Sequence, residues 1–252
     1  MKVYSKPLYY EIAFDFVDIK KQIKLFESFI DKYSRIPVKR FLDIGCGPSK
    51  QLIKLADQGY QSVGLDLSTE MLEYLNKVAE EKGLSIETVK ANFISFKLSK
   101  KVDFACMLMG TISYLDSNES FKRHLVSVAS SLNKGGLYLI ENVMIDWSSG
   151  KQFKPQSWVM KQGNIKVKTT YKVSVKDALK QTVNAELNLE VNDSGTKINL
   201  PSQYTSKLIF PEEIKELVEN QGQFELIGWF KRYSTKLLKS SVPDNILLLR
   251  KK

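Results

Sequence analysis

The sequence predicts an α/β fold: a mainly parallel seven-stranded sheet with helices on both faces, plus an antiparallel β insertion after the fifth strand. Two observations support this prediction. Short apolar runs alternate with amphipathic helical segments as far as about residue 145. A period of two then replaces that pattern between about residues 146 and 206, and the alternation of helix and strand resumes afterwards.

The elements of the core follow one another in chain order. An amphipathic helix over 18–33 comes first, because Ile19, Ile23 and Phe26 recur at helical spacing. The remaining predicted elements are strand 39–44, helix 49–58, strand 61–66, helix 69–82, strand 85–90, strand 102–108, helix 118–132, strand 137–142, helix 211–220, strand 224–230 and strand 245–250. Such alternation implies parallel strands that are joined by right-handed crossovers.

The segment over 146–206 has a different pattern. Apolar residues alternate with polar ones from Ile165 to Val175 and again from Val183 to Val191. This pattern predicts an antiparallel meander with one buried face. We therefore divide the chain into a core, residues 1–145 and 207–252, and an insertion, residues 146–206.

The most informative local feature is an apolar run that ends in Asp43 and a Gly45-x-Gly47 turn. Glycines allow backbone N–H groups to approach a ligand closely, at positive φ where the turn needs it. Asp66 ends the next strand, about 20 residues further on, where an acid accepts both hydroxyls of a ribose. The two segments together predict a cofactor that contains adenosine.

Two kinds of cofactor fit a glycine turn followed by an acid. A dinucleotide site favours a third glycine, but Lys50 occupies that place. Asp43 would repel a pyrophosphate, whereas its carboxylate suits the ammonium group of an amino acid. A ligand with an ammonium at one end and a ribose at the other is S-adenosylmethionine (SAM). These arguments disfavour a dinucleotide oxidoreductase.

Residues 41–48 resemble motif I of the class I SAM-dependent methyltransferases, which have a Rossmann-like fold. The resemblance continues through later segments and covers roughly residues 38–145. Ser49 stands where the family often has a third glycine, which a serine can replace if φ is negative there. Asn92 stands where many members carry an aspartate that contacts the adenine amino group, and its amide oxygen can accept the same hydrogen bond.

The resemblance implies a cofactor site that runs from a methionine end to an adenine end. We expect Asp43 and the glycine turn at the methionine end, Asp66 on the ribose, and the others near the adenine or the transferred methyl group. The predicted cofactor-binding residues are Asp43, Gly45, Cys46, Gly47, Asp66, Leu67, Met71, Asn92, Phe93 and Met109.

Several of these residues also have a purely structural interpretation. Asp43 can act as a helix N-terminal acid, and Asp66 can cap the next helix. Asn92 can cap a turn, and Leu67 and Met71 can be ordinary core residues. Both interpretations stay open at this point.

Methyl transfer from a sulfonium needs alignment and exclusion of water, so it requires no acid/base pair. Tyr114 follows the fourth strand and is the candidate catalytic residue, with the role of orienting an acceptor amine. The alternative is that its ring only packs in the loop. Tyr9 and Tyr10 precede an N-terminal helix and either cover the site or pack that helix. His124 lies inside helix 118–132, where a half-buried structural histidine is favoured.

The composition is that of an ordinary globular protein, with 43% apolar and 26% charged residues in 252. Neither a signal peptide nor an apolar run of membrane-spanning length is evident. Cys46 and Cys106 have neither disulfide-framework nor metal-ligand spacing, and with a single histidine we expect no metal and a reducing cytoplasm. The net charge of +10 comes mainly from dispersed lysines, which favours a solvated surface over nucleic-acid binding.

These observations together favour a SAM-dependent methyltransferase that acts on a nitrogen or oxygen of a small molecule. The antiparallel insertion resembles the lid of small-molecule methyltransferases of this family, which supports that acceptor class. Two alternatives remain: an RNA methyltransferase that uses the basic surface, and a SAM-binding partner protein without catalysis.

Overall fold

The computed structural model describes residues 2–143, 151–240 and 244–252. The helices are α1 Pro7–Ala13, α2 Ile19–Tyr33, α3 Lys50–Asp57, α4 Thr69–Glu81, α5 Asn118–Ser131 and α6 Pro211–Gln221. The strands are β1 Arg40–Ile44, β2 Gln61–Asp66, β3 Ile86–Lys90, β4 Val102–Met107, β5 Leu132–Glu141, β6 Gln156–Gln162, β7 Ile165–Asp177, β8 Thr182–Asp193, β9 Thr196–Lys207, β10 Phe224–Lys231 and β11 Asn245–Lys251. Short 3-10 helices cover Lys2–Ser5, Thr111–Tyr114 and Lys151–Phe153.

Seven strands form one sheet in the order β10-β11-β5-β4-β1-β2-β3. The five strands from β5 to β3 in that order pair in parallel, and β11 pairs antiparallel with both β5 and β10. Parallel strands end at a common edge, so the loops that follow β1, β2, β4 and β5 meet there. The predicted fold class is confirmed.

Helices cover both faces of this sheet. One apolar cluster packs α5 and α6 against one face, and a second packs α2, α3 and α4 against the other. All five residues of β1 are buried, as a central parallel strand requires. The sheet edge is therefore held rigidly from both sides.

The start of the fifth strand differs from the prediction. It begins at Leu132 rather than at 137, so Gly135 and Gly136 lie within it. Gly135 has φ +85°, and the pairing with β4 shifts register between Val102 and Phe104. The two glycines form an irregularity inside a strand instead of a loop before it.

The insertion is a four-stranded antiparallel meander in the order β6-β7-β8-β9, between β5 and α6 as predicted. Its first strand, β6, was not predicted, and the first part of the proposed insertion, 146–150, lies outside the described residues. The apolar face of the meander packs against the N-terminal segment through Val3, Ile12 and Ala13. The N-terminal segment thus lies between the insertion and the edge of the large sheet.

Within the described residues, no helix combines the length and apolar character that crossing a membrane requires.

Candidate functional site

The glycine turn after β1 is strongly curved. Gly45 and Gly47 have φ +68° and +53°. An added Cβ at Gly45 would lie 2.5 Å from Cγ2 of Thr111, so the turn needs a residue without a side chain there. The positive φ and the close approach of Thr111 therefore both explain why position 45 is a glycine.

The N–H groups of the turn are directed at β2. Those of Gly45 and Cys46 donate to the carbonyl of Leu65 at 2.7 and 3.0 Å, and that of Gly47 donates to Asp66 at 2.8 Å. The expectation that these N–H groups face a ligand is therefore wrong. The two glycines leave the backbone of the turn without side chains where it lines the cavity.

Ser49 replaces the third glycine without the negative φ that was given as the condition for such a replacement. Its φ is +31°, in the left-handed region. The side chain accommodates this conformation because its hydroxyl caps α3 by accepting from the N–H of Leu52 at 3.2 Å. The same hydroxyl donates to Asp43 Oδ2 at 2.7 Å.

Asp43 lies beneath the turn and is only 3% exposed. It accepts hydrogen bonds from the Ser49 hydroxyl and, at 3.7 Å, from the Cys106 thiol. Burial raises the pKa of Asp43 to about 7, because no cation among the described residues offsets the loss of hydration. A cationic ligand group would supply the missing charge.

Asp66 ends β2 at the same edge of the sheet. Its two carboxylate oxygens accept from the N–H groups of Gly47 and Ser68, each at 2.8 Å. The carboxylate keeps further lone pairs that hydroxyl donors can use. Ser68, rather than Asp66 itself, caps α4 by accepting from the Met71 N–H.

The two apolar residues predicted beside the adenine lie in different environments. Leu67 is 63% exposed and lines the cavity described below. Met71 is fully buried behind the turn, where its sulfur lies 3.9 Å from the position of a Cβ at Gly47. A direct contact of Leu67 with a ligand thus needs no rearrangement, whereas Met71 supports the turn.

The segment after β3 brings two predicted residues to the cavity. Asn92 and Phe93 both line it. The amide oxygen of Asn92 accepts from the Ile94 N–H at 2.9 Å, so this side chain also closes a turn. The Phe93 ring meets His124 edge-on with centroids 5.6 Å apart.

His124 is fully buried and bonds on both ring nitrogens. Nδ1 lies 2.8 Å from the carbonyl of Phe93, and Nε2 lies 2.6 Å from the hydroxyl of Tyr138. Burial lowers the pKa of His124 to about 4, so the ring is neutral. Its contacts are those of a structural residue.

The loop after β4 closes the site. Met109 has φ +54°, and its N–H donates to Glu141 Oε2 at 2.9 Å. Gly110, with φ +72°, then starts the 3-10 helix that carries Thr111 and Tyr114. Thr111 packs its methyl group against Gly45, which joins this loop to the glycine turn.

Tyr114 belongs to a group of half-buried tyrosines. Its ring stacks on Tyr204 of β9 with centroids 3.9 Å apart and an angle of 25°. Its hydroxyl hydrogen-bonds to that of Tyr4. We use the name tyrosine group for the five tyrosines that line the cavity: Tyr4, Tyr10, Tyr114, Tyr171 and Tyr204.

The two tyrosines predicted to precede a helix lie inside α1. Tyr10 lines the cavity, and its ring lies 3.9 Å from the position of a Cβ at Gly47. Tyr9 faces the insertion, where its hydroxyl donates to Asp193 at 2.9 Å. Only Tyr10 therefore covers the glycine turn.

A buried polar network lies under the loop after β4. Glu141, at the end of β5, is 1% exposed and accepts from Arg232 Nε at 3.1 Å and from Gln22 at 3.0 Å. Gln22 in turn accepts from Gln51 at 2.8 Å. Because Glu141 also holds the N–H of Met109, the network fixes that residue in its left-handed conformation.

The cavity has a volume of about 1230 Å³. It extends from the glycine turn, past the loop after β4, to the inner side of the insertion. All of the predicted site residues except Met71 line it. Within the described residues, no group of three His, Cys, Asp or Glu side chains could hold a metal ion.

Sequence reasoning did not find Glu141, Arg232, Tyr4, Tyr171 or Tyr204. The acid at the end of a fifth parallel strand was a usable signal for Glu141, since the strand ends share one edge. The tyrosines come from the N-terminal segment and the insertion, so only the tertiary structure brings them together.

Comparison with known proteins shows which proteins the sequence and the fold resemble. Residues 41–136 match a family model described as a methyltransferase domain. A putative methyltransferase of Geobacillus sp. is 28% identical over 119 residues, which are 46% of this chain and 48% of that protein. The chain thus spans about half the length of this curated relative.

Solved structures match over almost the whole chain. A S-adenosylmethionine-dependent methyltransferase from Clostridium acetobutylicum has a TM-score of 0.79 at 16% identity, over 96% of each chain. The SAM-bound amino pentose methyltransferase from Micromonospora echinaspora has a TM-score of 0.71 at 14% identity, over 94% of this chain and 93% of that one. At such identities the similarity establishes the fold. Residues 41–136 are therefore similar to a methyltransferase domain, as the resemblance predicted, and the whole chain shares its fold with solved SAM-dependent methyltransferases.

Proposed function

We propose that the protein is a SAM-dependent methyltransferase that acts on a small-molecule acceptor in the cavity between the large sheet and the insertion. The observation that carries the proposal is Asp66, whose carboxylate is held at the sheet edge by the N–H groups of Gly47 and Ser68. Held in this way, it presents free lone pairs at the ribose position of an adenosine cofactor.

The residues at the other end fit the amino acid part of SAM. Asp43 is a buried carboxylate without a cation among the described residues, and an ammonium group would provide one. Leu67, Asn92 and Phe93 line the cavity beyond Asp66, where the adenine would lie. When bound, SAM supplies an activated methyl group, and the protein has only to align the acceptor and exclude water.

The enclosure of the cavity favours a small acceptor over a folded RNA. Residues of the insertion and of the N-terminal segment both line it, which limits the space for a large acceptor. Tyr114 lies on the loop after β4, between the cofactor residues and the insertion, and we assign it the role of orienting the acceptor. The insertion, residues 146–206 in the sequence interpretation, acts in this proposal as a lid.

Calorimetry on wild-type protein with SAM, S-adenosylhomocysteine and NADH tests the cofactor class. We expect the first two ligands to bind and NADH not to bind. Asp66→Ala should weaken SAM binding by about 2–4 kcal/mol, or about 30- to 1,000-fold, because the ribose diol loses its acceptors.

Asp57→Ala is the matched control, because Asp57 is an exposed acid on α3 away from the cavity. Its SAM affinity should stay within threefold of wild type. A change below threefold in Asp66→Ala would show that the ribose is not placed at this carboxylate. Tight NADH binding would replace the methyltransferase proposal with a dinucleotide one.

A further inference from the structure

We infer that the acceptor is an amine, which the tyrosine group and Asn142 hold for transfer to nitrogen rather than oxygen. This inference rests on the proposed methyltransferase function and specifies the chemistry of its second substrate. Three observations support it: the supply of bases around the cavity, the aromatic surface near Tyr114, and an unpaired oxygen on Asn142.

The first observation is that every carboxylate lining the cavity already has a partner among the described residues. Glu11 and Asp15 pair with Lys50, Asp43 with Ser49, Asp66 with two backbone N–H groups, Glu70 with Ser68, and Asp244 with Arg232. Among the described residues of the insertion, 151–206, none adds an acid to the cavity lining. His124 is buried behind Phe93, so it is not a base for the acceptor either.

Three of the tyrosine hydroxyls are protonated at neutral pH and so do not act as bases. Burial raises the pKa of Tyr4, Tyr114 and Tyr171 above that of a free phenol. A hydroxyl acceptor must give up a proton to become a good nucleophile, whereas a neutral amine already carries a free electron pair. The cavity therefore suits an amine.

The second observation is the aromatic surface. Tyr114 and Tyr204 stack, Tyr4 meets Tyr114 edge-on at 6.3 Å, and all three line the cavity. Aromatic faces attract cations, and phenol oxygens accept hydrogen bonds from N–H groups. Such a surface stabilises positive charge on nitrogen without a counter-ion.

The third observation is Asn142, which follows β5 and lines the cavity next to Gly110. Its amide oxygen is buried and has no hydrogen-bond partner among the described residues. A buried acceptor without a donor is costly, so a ligand with an N–H group would satisfy it. A primary or secondary amine keeps such a group through the reaction.

The acceptor binds as the neutral amine, which forms when the ammonium loses its proton to water in solution, and the transfer then balances with these groups alone. The amine nitrogen forms the new bond to the methyl carbon as the methyl–sulfur bond breaks, and that electron pair stays on sulfur. The positive charge moves from sulfur to nitrogen, and the ammonium product loses its proton to water after release. The part of the cavity that holds the acceptor thus contains a cation only after transfer, when the sulfur of S-adenosylhomocysteine is neutral.

A binding experiment with inert probes tests this charge preference. Choline and 3,3-dimethylbutan-1-ol have the same shape, and the quaternary nitrogen of choline cannot accept a methyl group. We expect choline to bind the complex with S-adenosylhomocysteine at least tenfold more tightly than the alcohol does, and at least tenfold more tightly than it binds the SAM complex.

Substitutions at Tyr204 assign the preference to the aromatic surface. Tyr204→Leu should remove the preference for choline, and Tyr204→Phe should keep it, because the ring stays in place. Tyr171→Leu is a second variant in case the first one unfolds. Affinity for S-adenosylhomocysteine should change less than threefold in each, because the cofactor residues lie elsewhere.

Two results would overturn the inference while leaving the proposed function intact. One is equal or weaker binding of choline, including no detectable binding, by a protein that binds S-adenosylhomocysteine. The other is labelled methyl transfer from SAM to phenols or alcohols but not to a panel of amines. If wild-type protein fails to bind S-adenosylhomocysteine, the proposed function itself is wrong.

Discussion

Replacing Gly45 by alanine should destabilise the fold by about 2–5 kcal/mol. Two terms contribute to this value. The backbone has φ +68°, a left-handed conformation that costs a residue with a Cβ about 1–2 kcal/mol. The new Cβ would also lie 2.5 Å from Thr111 Cγ2, and such overpacking costs about 1–3 kcal/mol.

Thr111 cannot easily rotate away from the new methyl group. Its hydroxyl donates to the carbonyl of Leu108 at 2.9 Å, which fixes the side chain. Thr111→Ser would remove the offending methyl and keep that hydrogen bond. The other two atoms of Thr111 near the added Cβ are 3.5 Å away, an ordinary contact distance. The double variant should therefore recover the overpacking term only.

Urea unfolding followed by circular dichroism measures these terms. Gly59→Ala is the matched control, because Gly59 has φ +89° with nothing within 4 Å of an added Cβ. It should lose only about 1–2 kcal/mol. The coupling free energy between Gly45→Ala and Thr111→Ser should be about 1–3 kcal/mol. Equal losses in the two alanine variants, or a coupling near zero, would refute the reasoning.

Three further predictions concern buried charge. Burial raises the pKa of Asp43 from 3.8 to about 7, so the folded state loses about 4 kcal/mol of stability from this group as the pH rises from about 4 to 7. Asp43→Asn should not show this loss when urea unfolding is measured across that pH range. Because burial lowers the pKa of His124 to about 4 from 6.5, stability falls by about 3 kcal/mol as pH falls across that interval, and His124→Gln should remove this dependence. Glu141→Gln should cost about 3–5 kcal/mol, because it breaks the buried ion pair with Arg232 and leaves that guanidinium only the longer contact with the exposed Asp244. The exposed Glu190→Gln should cost less than about 1 kcal/mol by the same urea assay.

Local pattern was enough to predict the large sheet and its cofactor edge. The apolar runs that end in Asp43 and Asp66 are buried strands, and an apolar run followed by an acid is visible in the sequence without any tertiary information. The β-strand β6 was missed because both of its faces are largely exposed, so its sequence has no clear alternation. The apolar pattern from which helices and strands are predicted arises from burial, so an exposed strand has almost no such pattern.

The site was harder to predict where it depends on distant contacts. The left-handed φ of Ser49 is stabilised by Asp43 and by capping of α3, neither of which a neighbouring residue reveals. The contact of Tyr4 with Tyr114 joins residues 110 positions apart. Tertiary packing sets such geometry, and one sequence carries no direct record of it.

The insertion interrupts the chain between two strands that are neighbours in the large sheet, and this placement determines how far its length can vary. Glu141 of β5 pairs with Ile246 of β11, so the large sheet closes a loop of about 100 residues. The meander over 156–207 forms from local hairpins, which shortens that loop to about half. Halving a loop changes the closure free energy by only about 0.6 kcal/mol. The core therefore tolerates a longer, shorter or rebuilt insertion at little thermodynamic cost.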